Sequence, residues 1–317
     1  MKRKLHLQLF SYLLIVPLSV VIALNSCTDR VEQSLNYINI ESSNDVHEFF
    51  SWSKDRIPMV SAHRGGVYYE GFTENTIEMF EHVISHIPAI IEFDVRRSKD
   101  GELVLMHDRT TGRTTNKDYP IKDLTLEEIR ALQLIDYNGD YAVGVVPTLD
   151  EVLEWGRDKV VFTVDVKAES DLDEVAKIIM DKNAELYSVL ITYSLDVAER
   201  LHQSYPEIYL SITVRNEEEL QRLMDKNINL SKVIAFTGTS ARDKSFNKAL
   251  HELGIFTILG TMGNIDNRAK VRGEHIYRDL ISSGSDILST DYPVEAYNAF
   301  RELIPAKSSK SRFFEIQ

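Results

Sequence analysis

Nine short runs rich in β-branched residues, separated for most of the chain by helical stretches, restrict this sequence to an α/β architecture built from repeated βαβ units. The runs are Met59–His63, Ala89–Val95, Leu103–His107, Val160–Val166, Val189–Tyr193, Tyr209–Val214, Val233–Phe236, Phe256–Leu259 and Ile287–Thr290. A parallel crossover takes a dozen or more residues. The stretch from Arg96 to Glu102 is too short for one, and Asp100-Gly101 is a strong hairpin dipeptide. Leu103–His107 is therefore expected to fold back antiparallel on the second strand. Eight parallel strands remain, which predicts a (β/α)8 TIM barrel with a β-hairpin after strand 2.

The length of 317 residues suits one such barrel with an N-terminal extension, and 43% hydrophobic with 27% charged residues is the balance of a globular domain. The barrel is expected over 58–305. Residues 108–148 read as an insertion over its mouth, holding one helix at Thr125–Leu134 with a Thr125/Glu128 capping box. Helices are also read at Leu172–Lys182, Leu195–Ser204, Glu217–Lys226 and Lys244–Leu253. Residues 27–57 read as a polar tether ending in a short amphipathic helix around Val46–Trp52. Residues 306–317 read as a C-terminal tail whose basic part, Lys307 to Arg312, frays.

Lys2, Arg3 and Lys4 precede an apolar run from Leu13 to Leu24, the layout of a secretory signal and too short to span a bilayer. The run ends at Leu24-Asn25-Ser26-Cys27, which resembles the lipobox of bacterial lipoproteins, although Asn25 stands where a small residue is usual. The expectation is a signal peptide over 1–26, a lipid anchor on Cys27 and a place in the cell envelope, attached to a membrane. Cys27 is the only cysteine, so no internal disulfide can form. Net charge is −13, and loss of the three basic side chains of 1–26 would leave −16. Such a surface repels polyanions, so no nucleic-acid partner is expected. An anionic substrate would need local positive charge, which a bound divalent cation supplies. Oligomeric state is not readable.

In a barrel of this kind the chemistry lies where strands end. Those ends carry His63-Arg64-Gly65-Gly66, Glu92-Phe93-Asp94, His107-Asp108, Asp165-Val166-Lys167 and Thr290-Asp291. Residues two apart on a strand share a face, so Glu92 projects with Asp94, and Asp165 with Lys167. Converging carboxylates among apolar neighbours repel one another and are costly to bury. One divalent cation removes that penalty, and hard oxygen ligands suit Mg²⁺ or Ca²⁺. The competing reading pairs Glu92 and Asp165 with Arg64 and Lys167 in metal-free ion networks. His63 and His107 can exchange protons near neutrality. Arg64 and Lys167 read as anion clamps, and Gly65 and Gly66 as a close backbone approach with amide donors for the same anion.

His63-Arg64-Gly65, Glu74-Asn75-Thr76, Glu92-x-Asp94, Asp100-Gly101 with His107-Asp108, Pro147-Thr148-Leu149, Asp165-x-Lys167 and Thr290-Asp291-Tyr292-Pro293 form an ordered set from Pro58 to Arg301. The set resembles the glycerophosphodiester phosphodiesterase family. The resemblance implies hydrolysis of a glycerophosphodiester, a small-molecule substrate, to glycerol 3-phosphate and an alcohol, in some members through a cyclic phosphate. It implies a metal held by Glu92, Asp94 and Asp165, acid/base work by His63 and His107, and phosphate contacts from Arg64 and Lys167, with Glu74, Asp108 and Asp291 in support. Thr73-Glu74-Asn75-Thr76 also reads as a helix start. Asp165 departs from the family's common Glu, shortening the ligand's reach. The family's frequent tryptophan in the seventh strand is missing from Leu259-Gly260-Thr261-Met262-Gly263-Asn264, which predicts a roomier, more polar pocket that could take a head group such as inositol. Two rivals stand beside this reading: a lysophospholipid-directed phosphodiesterase on the same barrel, and a non-catalytic surface lipoprotein that binds glycerophosphodiesters.

Overall fold

The computed structural model describes residues 36–315. The signal segment and Cys27 lie outside the described residues. In chain order the strands are β1 (Tyr37–Ile38), β2 (Met59–Ala62), β3 (Ile90–Arg97), β4 (Leu103–Leu105), β5 (Val161–Val166), β6 (Ser188–Thr192), β7 (Tyr209–Thr213), β8 (Val233–Phe236), β9 (Phe256–Gly260), β10 (Ile287–Thr290) and β11 (Phe314–Glu315). Strand β2 pairs in parallel with both β3 and β10, and every neighbour from β3 through β5 to β10 is parallel, so the eight strands close into a (β/α)8 TIM barrel. Strand β4 runs antiparallel on the far end of β3, pairing Val95 with Leu105 and Arg97 with Leu103, so it is a hairpin arm.

Alternation along each strand sorts the side chains. Ile91, Phe93 and Val95 of β3 and Phe162, Val164 and Val166 of β5 point outward into the layer packed by the surrounding helices. Residues of the opposite parity face the barrel interior, and their character changes with height. The lowest ring, with Met59, Ile90, Val161, Val189, Tyr209, Ile234, Phe256 and Ile287, is apolar. Next come Ser61, Glu92, Thr163, Ser211 and Ser289, and above them Asp165, Tyr193 and Thr213. The interior is thus greasy below and polar above.

The bottom is closed by the helix Ser43–Phe50, capped by Ser42 at the Asp45 amide, which buries Val46, Phe49 and Phe50 against the apolar ring. Burying each phenylalanine stabilises the fold by about 2–3 kcal/mol. The C-terminal tail does not fray. Phe313 is buried edge-on to Phe49, Lys310 donates to the Ser51 carbonyl, and β11 pairs antiparallel with β1. The apolar Phe313-Phe314 pair behind the basic run anchors it. The insertion helix is also shorter than expected, Leu126–Arg130 with its capping box intact. Leu134 and Ile135 leave it to bridge Thr115 and Tyr141. Among the described residues no helix is long and apolar enough to cross a membrane.

Candidate active site

Strand β2 runs straight into a tight turn at its upper end. Arg64, Gly65 and Gly66 all have positive φ, at 57°, 80° and 118°. A Cβ on Gly65 would stand 2.3 Å from the Phe80 ring, so only glycine fits there. The turn aims the Arg64 amide at Glu92 Oε2, 2.7 Å away. The Gly66 amide donates to the His63 carbonyl, so it is not the free anion donor the sequence suggested. Asn75 is a second non-glycine residue in the left-handed region, at φ 59°. Its side chain donates to Asp94 Oδ2 at 2.8 Å and accepts from the Asp94 amide at 2.9 Å. Two such residues beside one site are a stored cost of about 1–3 kcal/mol each that the surrounding contacts hold in place.

Glu92 and Asp94 share the inner face of β3, and register sets Asp94 directly beside Asp165 on β5. One carboxylate oxygen from each of Glu92, Asp94 and Asp165 lies within 4.8 Å of the others, and all three residues are buried. Burial, then the charges of Asp94 and Asp165, push Glu92 up to about 8, against the pull of His63. Asp165 Oδ1 is buried without a hydrogen-bond partner. The cations expected to clamp an anion are drawn into this cluster. Lys167 Nζ lies 2.5 Å from Asp94 Oδ1 and 2.5 Å from Asp165 Oδ2, while Arg64 reaches Glu74 at 3.3 Å and Asp94 at 3.7 Å. An all-oxygen, buried, under-satisfied donor set of this kind fits a hard divalent cation.

His63 Nδ1 sits 2.6 Å from Asp291 Oδ1, and His107 Nδ1 2.7 Å from Asp108 Oδ1. Each carboxylate fixes its ring and leaves Nε2 for another partner. Burial works against the charged form of His63, but the Asp291 hydrogen bond and the charges of Glu92 and Asp291 outweigh it and raise the pKa. Glu74 is buried and accepts from Arg113 at 2.6 and 2.8 Å as well as from Arg64, while Arg113 Nε donates to Asp108 at 2.6 Å. The helix that follows, Ile77–Ile84, is capped by Thr76, the last residue of the Thr73–Thr76 stretch, at the Met79 amide.

The family model for glycerophosphoryl diester phosphodiesterases matches residues 63–283, from the first of the two site histidines to the end of the last barrel crossover. The chain belongs to that family. A crystal structure of a glycerophosphoryl diester phosphodiesterase from Parabacteroides distasonis superposes with a TM-score of 0.83 at 32% identity, covering 90% of this chain and all of the other. A glycerophosphodiester phosphodiesterase of Caldanaerobacter subterraneus is 41% identical over 115 residues, 36% of this chain and 46% of that enzyme. An Oleispira antarctica phosphodiesterase, solved with its product sn-glycerol-3-phosphate, shares the fold with a TM-score of 0.60 at 21% identity, over 77% of this chain and 97% of the other.

Within this phosphodiesterase barrel the sequence left some site residues without a role. Tyr193, at the upper end of β6, donates its hydroxyl to Asp165 Oδ2 at 2.8 Å; its position after Thr192 at a strand end was the available signal. Asn75 lay inside a quoted motif, and Arg113 lay in the insertion with nothing to mark it. The interior cavity under the rim measures about 110 Å³, lined by hydroxyls of Ser61, Thr163, Ser211, Thr213 and Ser289 but also by Phe236, Ile258 and Met262. Met262 and Phe236 pack around Gly260, so the pocket is polar in part and apolar in part.

Proposed function

We propose that this phosphodiesterase hydrolyses a glycerophosphodiester to glycerol 3-phosphate and an alcohol, with one divalent cation, Mg²⁺ or Ca²⁺, held by Glu92, Asp94 and Asp165 and with His63 and His107 as acid and base. The observation that carries it is the meeting of three buried carboxylates beside two histidines whose Nδ1 atoms are already spoken for. The Oleispira relative, bound to sn-glycerol-3-phosphate, supports the product assignment.

A cation held there contributes Lewis-acid charge toward a phosphate oxygen when bound. The chain's own groups do the rest. One histidine takes at Nε2 the proton of the attacking oxygen, either a water or the glycerol's own hydroxyl, and the other gives one to the departing alkoxide oxygen; on the second route a water then opens the cyclic phosphate to glycerol 3-phosphate. The P–O bond to the alcohol breaks as the new P–O bond forms, and the carboxylates of Asp291 and Asp108 stabilise the imidazolium at each ring. Arg64, whose Nε is buried without a hydrogen-bond partner, offers that donor to the phosphate, and Lys167 adds charge beside it. Tyr193 and Asn75 orient Asp165 and Asp94.

The test is a panel of glycerophosphodiesters assayed with chelator and with metal add-back, beside His63→Ala and Asp165→Ala. Loss of turnover in both variants and reversible loss with chelator is the expected result; turnover indifferent to chelator removes the cation from the proposal. A second reading, action on lysophospholipids, is favoured by Tyr141, Val143 and Val145, which stand exposed on the insertion where Val143 bonds the Gly71 carbonyl. A rate that rises only once the substrate forms micelles would select it. The N-terminal segment supports a lipid anchor on Cys27 and an envelope location; failure of Cys27→Ser to release the protein from membranes would remove both.

A further inference from the structure

A cavity of about 420 Å³ lies between the end of β3, the insertion and the loop after β5, lined by Arg96, Arg97, Arg109, Thr110, Lys122 and Asp171 together with three uncharged residues. Four basic side chains against one acidic leave this lining at +3, in a protein of net charge −13. Its sign is thus opposite to that of the chain around it. It shares no lining residue with the cavity inside the barrel.

The backbone fixes where these cations stand. Thr110 bridges Pro120 antiparallel, the Ile121 amide donates to the Arg109 carbonyl at 3.1 Å, and the Ile121 side chain is buried. Arg109 and Lys122 therefore rise from one paired wall of the insertion. Arg96 lies two residues beyond Asp94 on β3 and donates through Nε and Nη2 to the His107 carbonyl, at 2.8 and 2.6 Å. One guanidinium thus joins the cavity to the backbone of His107.

The acids nearby are already engaged. Arg97 holds Asp171 through Nε and Nη2, both at 3.1 Å, and Glu174 at 2.7 Å, while Arg113 holds Asp108 at 2.6 Å. Asp123 and Glu169 flank the cavity in sequence but are not part of its lining. Among the described residues this leaves Arg96, Arg109 and Lys122 with no carboxylate in ion-pair contact. Burial lowers the Arg96 pKa from its usual value, and the Arg109 charge adds to that against the pull of Asp94. Like charges gathered without a counter-charge repel, and an anion that meets all three removes that cost.

The set matches a phosphate monoester. Such a group carries about −1.5 to −2 charge at pH 7 and three acceptor oxygens, whereas a diester carries a single charge. The Arg109 fork is open to a bidentate contact, Lys122 adds a point charge, and Thr110 adds a hydroxyl. We propose that Arg96, Arg109 and Lys122 form a second, non-catalytic site that binds the phosphate of a monoester. Its bearer is a free phosphorylated metabolite or the head group of a phosphatidate-type lipid, which present the same group. The site stands whether or not the rim carboxylates serve phosphodiester hydrolysis.

The experiment is calorimetric titration of the full chain, with and without chelator, using inorganic phosphate, glycerol 3-phosphate, dihexanoyl phosphatidate below its micelle concentration, and dimethyl phosphate. Chelator separates the two sites, because bare carboxylates at the rim repel phosphate. Monoester binding that persists in chelator should weaken about tenfold in Arg109→Gln and about a hundredfold in the Arg109→Gln/Lys122→Gln double variant, the scale of one and two charge-assisted hydrogen bonds. Arg109→Lys keeps the charge and loses the fork, so it should fall between the unaltered chain and Arg109→Gln. Dimethyl phosphate, with less charge, should bind about tenfold more weakly than inorganic phosphate. Tighter binding of the phosphatidate than of glycerol 3-phosphate identifies a lipid source, and equal or weaker binding a free one; either result supports the site. No monoester binding in chelator, binding unmoved by the double variant, or equal binding of dimethyl phosphate overturns the proposal. Absence of turnover on every diester with this binding intact would count against the phosphodiesterase reading alone.

Discussion

Asp286, in the loop just before β10 at the bottom of the barrel, and Asp165, on β5 at its rim, are both buried carboxylates, yet they are treated in opposite ways. Asp286 Oδ1 binds Arg56 and, at 3.3 Å, the Trp52 indole; Oδ2 accepts from Thr257 N and Oγ1, both at 2.9 Å, and lies 2.8 Å from His251 Nε2. Trp52 stacks on His251 at 4.3 Å, completing the cluster. Every lone pair is used, and the partners reach from the N-terminal arm to β9 and to the helix Lys244–Glu252 before it, so the charge fastens the base of the fold. Asp165 shares a lysine with Asp94, borrows a tyrosine hydroxyl and keeps one buried oxygen with no partner. A protein that buries charge for stability satisfies it; charge left crowded and short of partners is held for a ligand.

Substitutions can break this contrast from either side. Asp165→Asn should lower kcat/KM by about a thousandfold or more, while urea denaturation shows stability unchanged or raised by about 1 kcal/mol as repulsion is relieved. Asp286→Asn should do the reverse, costing about 3–5 kcal/mol because the fully buried charge that holds the half-buried Arg56 is removed, with kcat/KM of the folded protein within about threefold. If both variants lost stability alike, the distinction between the two ends would fail.

Much of the barrel is legible in the chain because each strand is a local apolar run and the hairpin follows from a linker too short to cross. The carboxylate cluster is legible for a related reason: strand parity places Glu92 beside Asp94, and one barrel rim gathers the strand ends. Other features lack a local signature. Strands β1 and β11 are two residues each and pair beside the contact of Phe49 with Phe313, so no periodicity announces them. Tyr193 and Asn75 act through contacts 28 and 19 residues away, which only the closed fold creates. The insertion helix ends early because Leu134 and Ile135 find bridging partners that outweigh their helical pattern.

Smaller effects sharpen the comparison. Phe313→Ala, at the bottom, should cost about 3 kcal/mol in urea denaturation with activity intact; a change within 0.5 kcal/mol, roughly the scale of surface substitutions, would mean the tail adds nothing. Asp291→Asn, at the rim, should reduce kcat about 10- to 100-fold by loosening His63, with little loss of stability. The smallest effect belongs to Asp108. Burial opposes its charged form, but Arg113 and His107 hold it down at about 2. With the folded value below the unfolded one, its contribution is present above about pH 4 and fades as pH falls toward 2. Solvent screening at this half-open position limits it to about 1 kcal/mol. Acid denaturation of the unaltered chain and of Asp108→Asn should therefore converge in that window; parallel curves would remove the assignment.

The most direct measurement is calorimetric titration of the chelator-treated protein with Mg²⁺ and Ca²⁺, for the unaltered chain, Asp165→Asn and Asp286→Asn. One ion bound per chain, lost in Asp165→Asn and kept in Asp286→Asn, with turnover following binding, is the predicted result. Ion binding that survives Asp165→Asn, or full turnover with no ion bound, would contradict the assignment of the rim carboxylates.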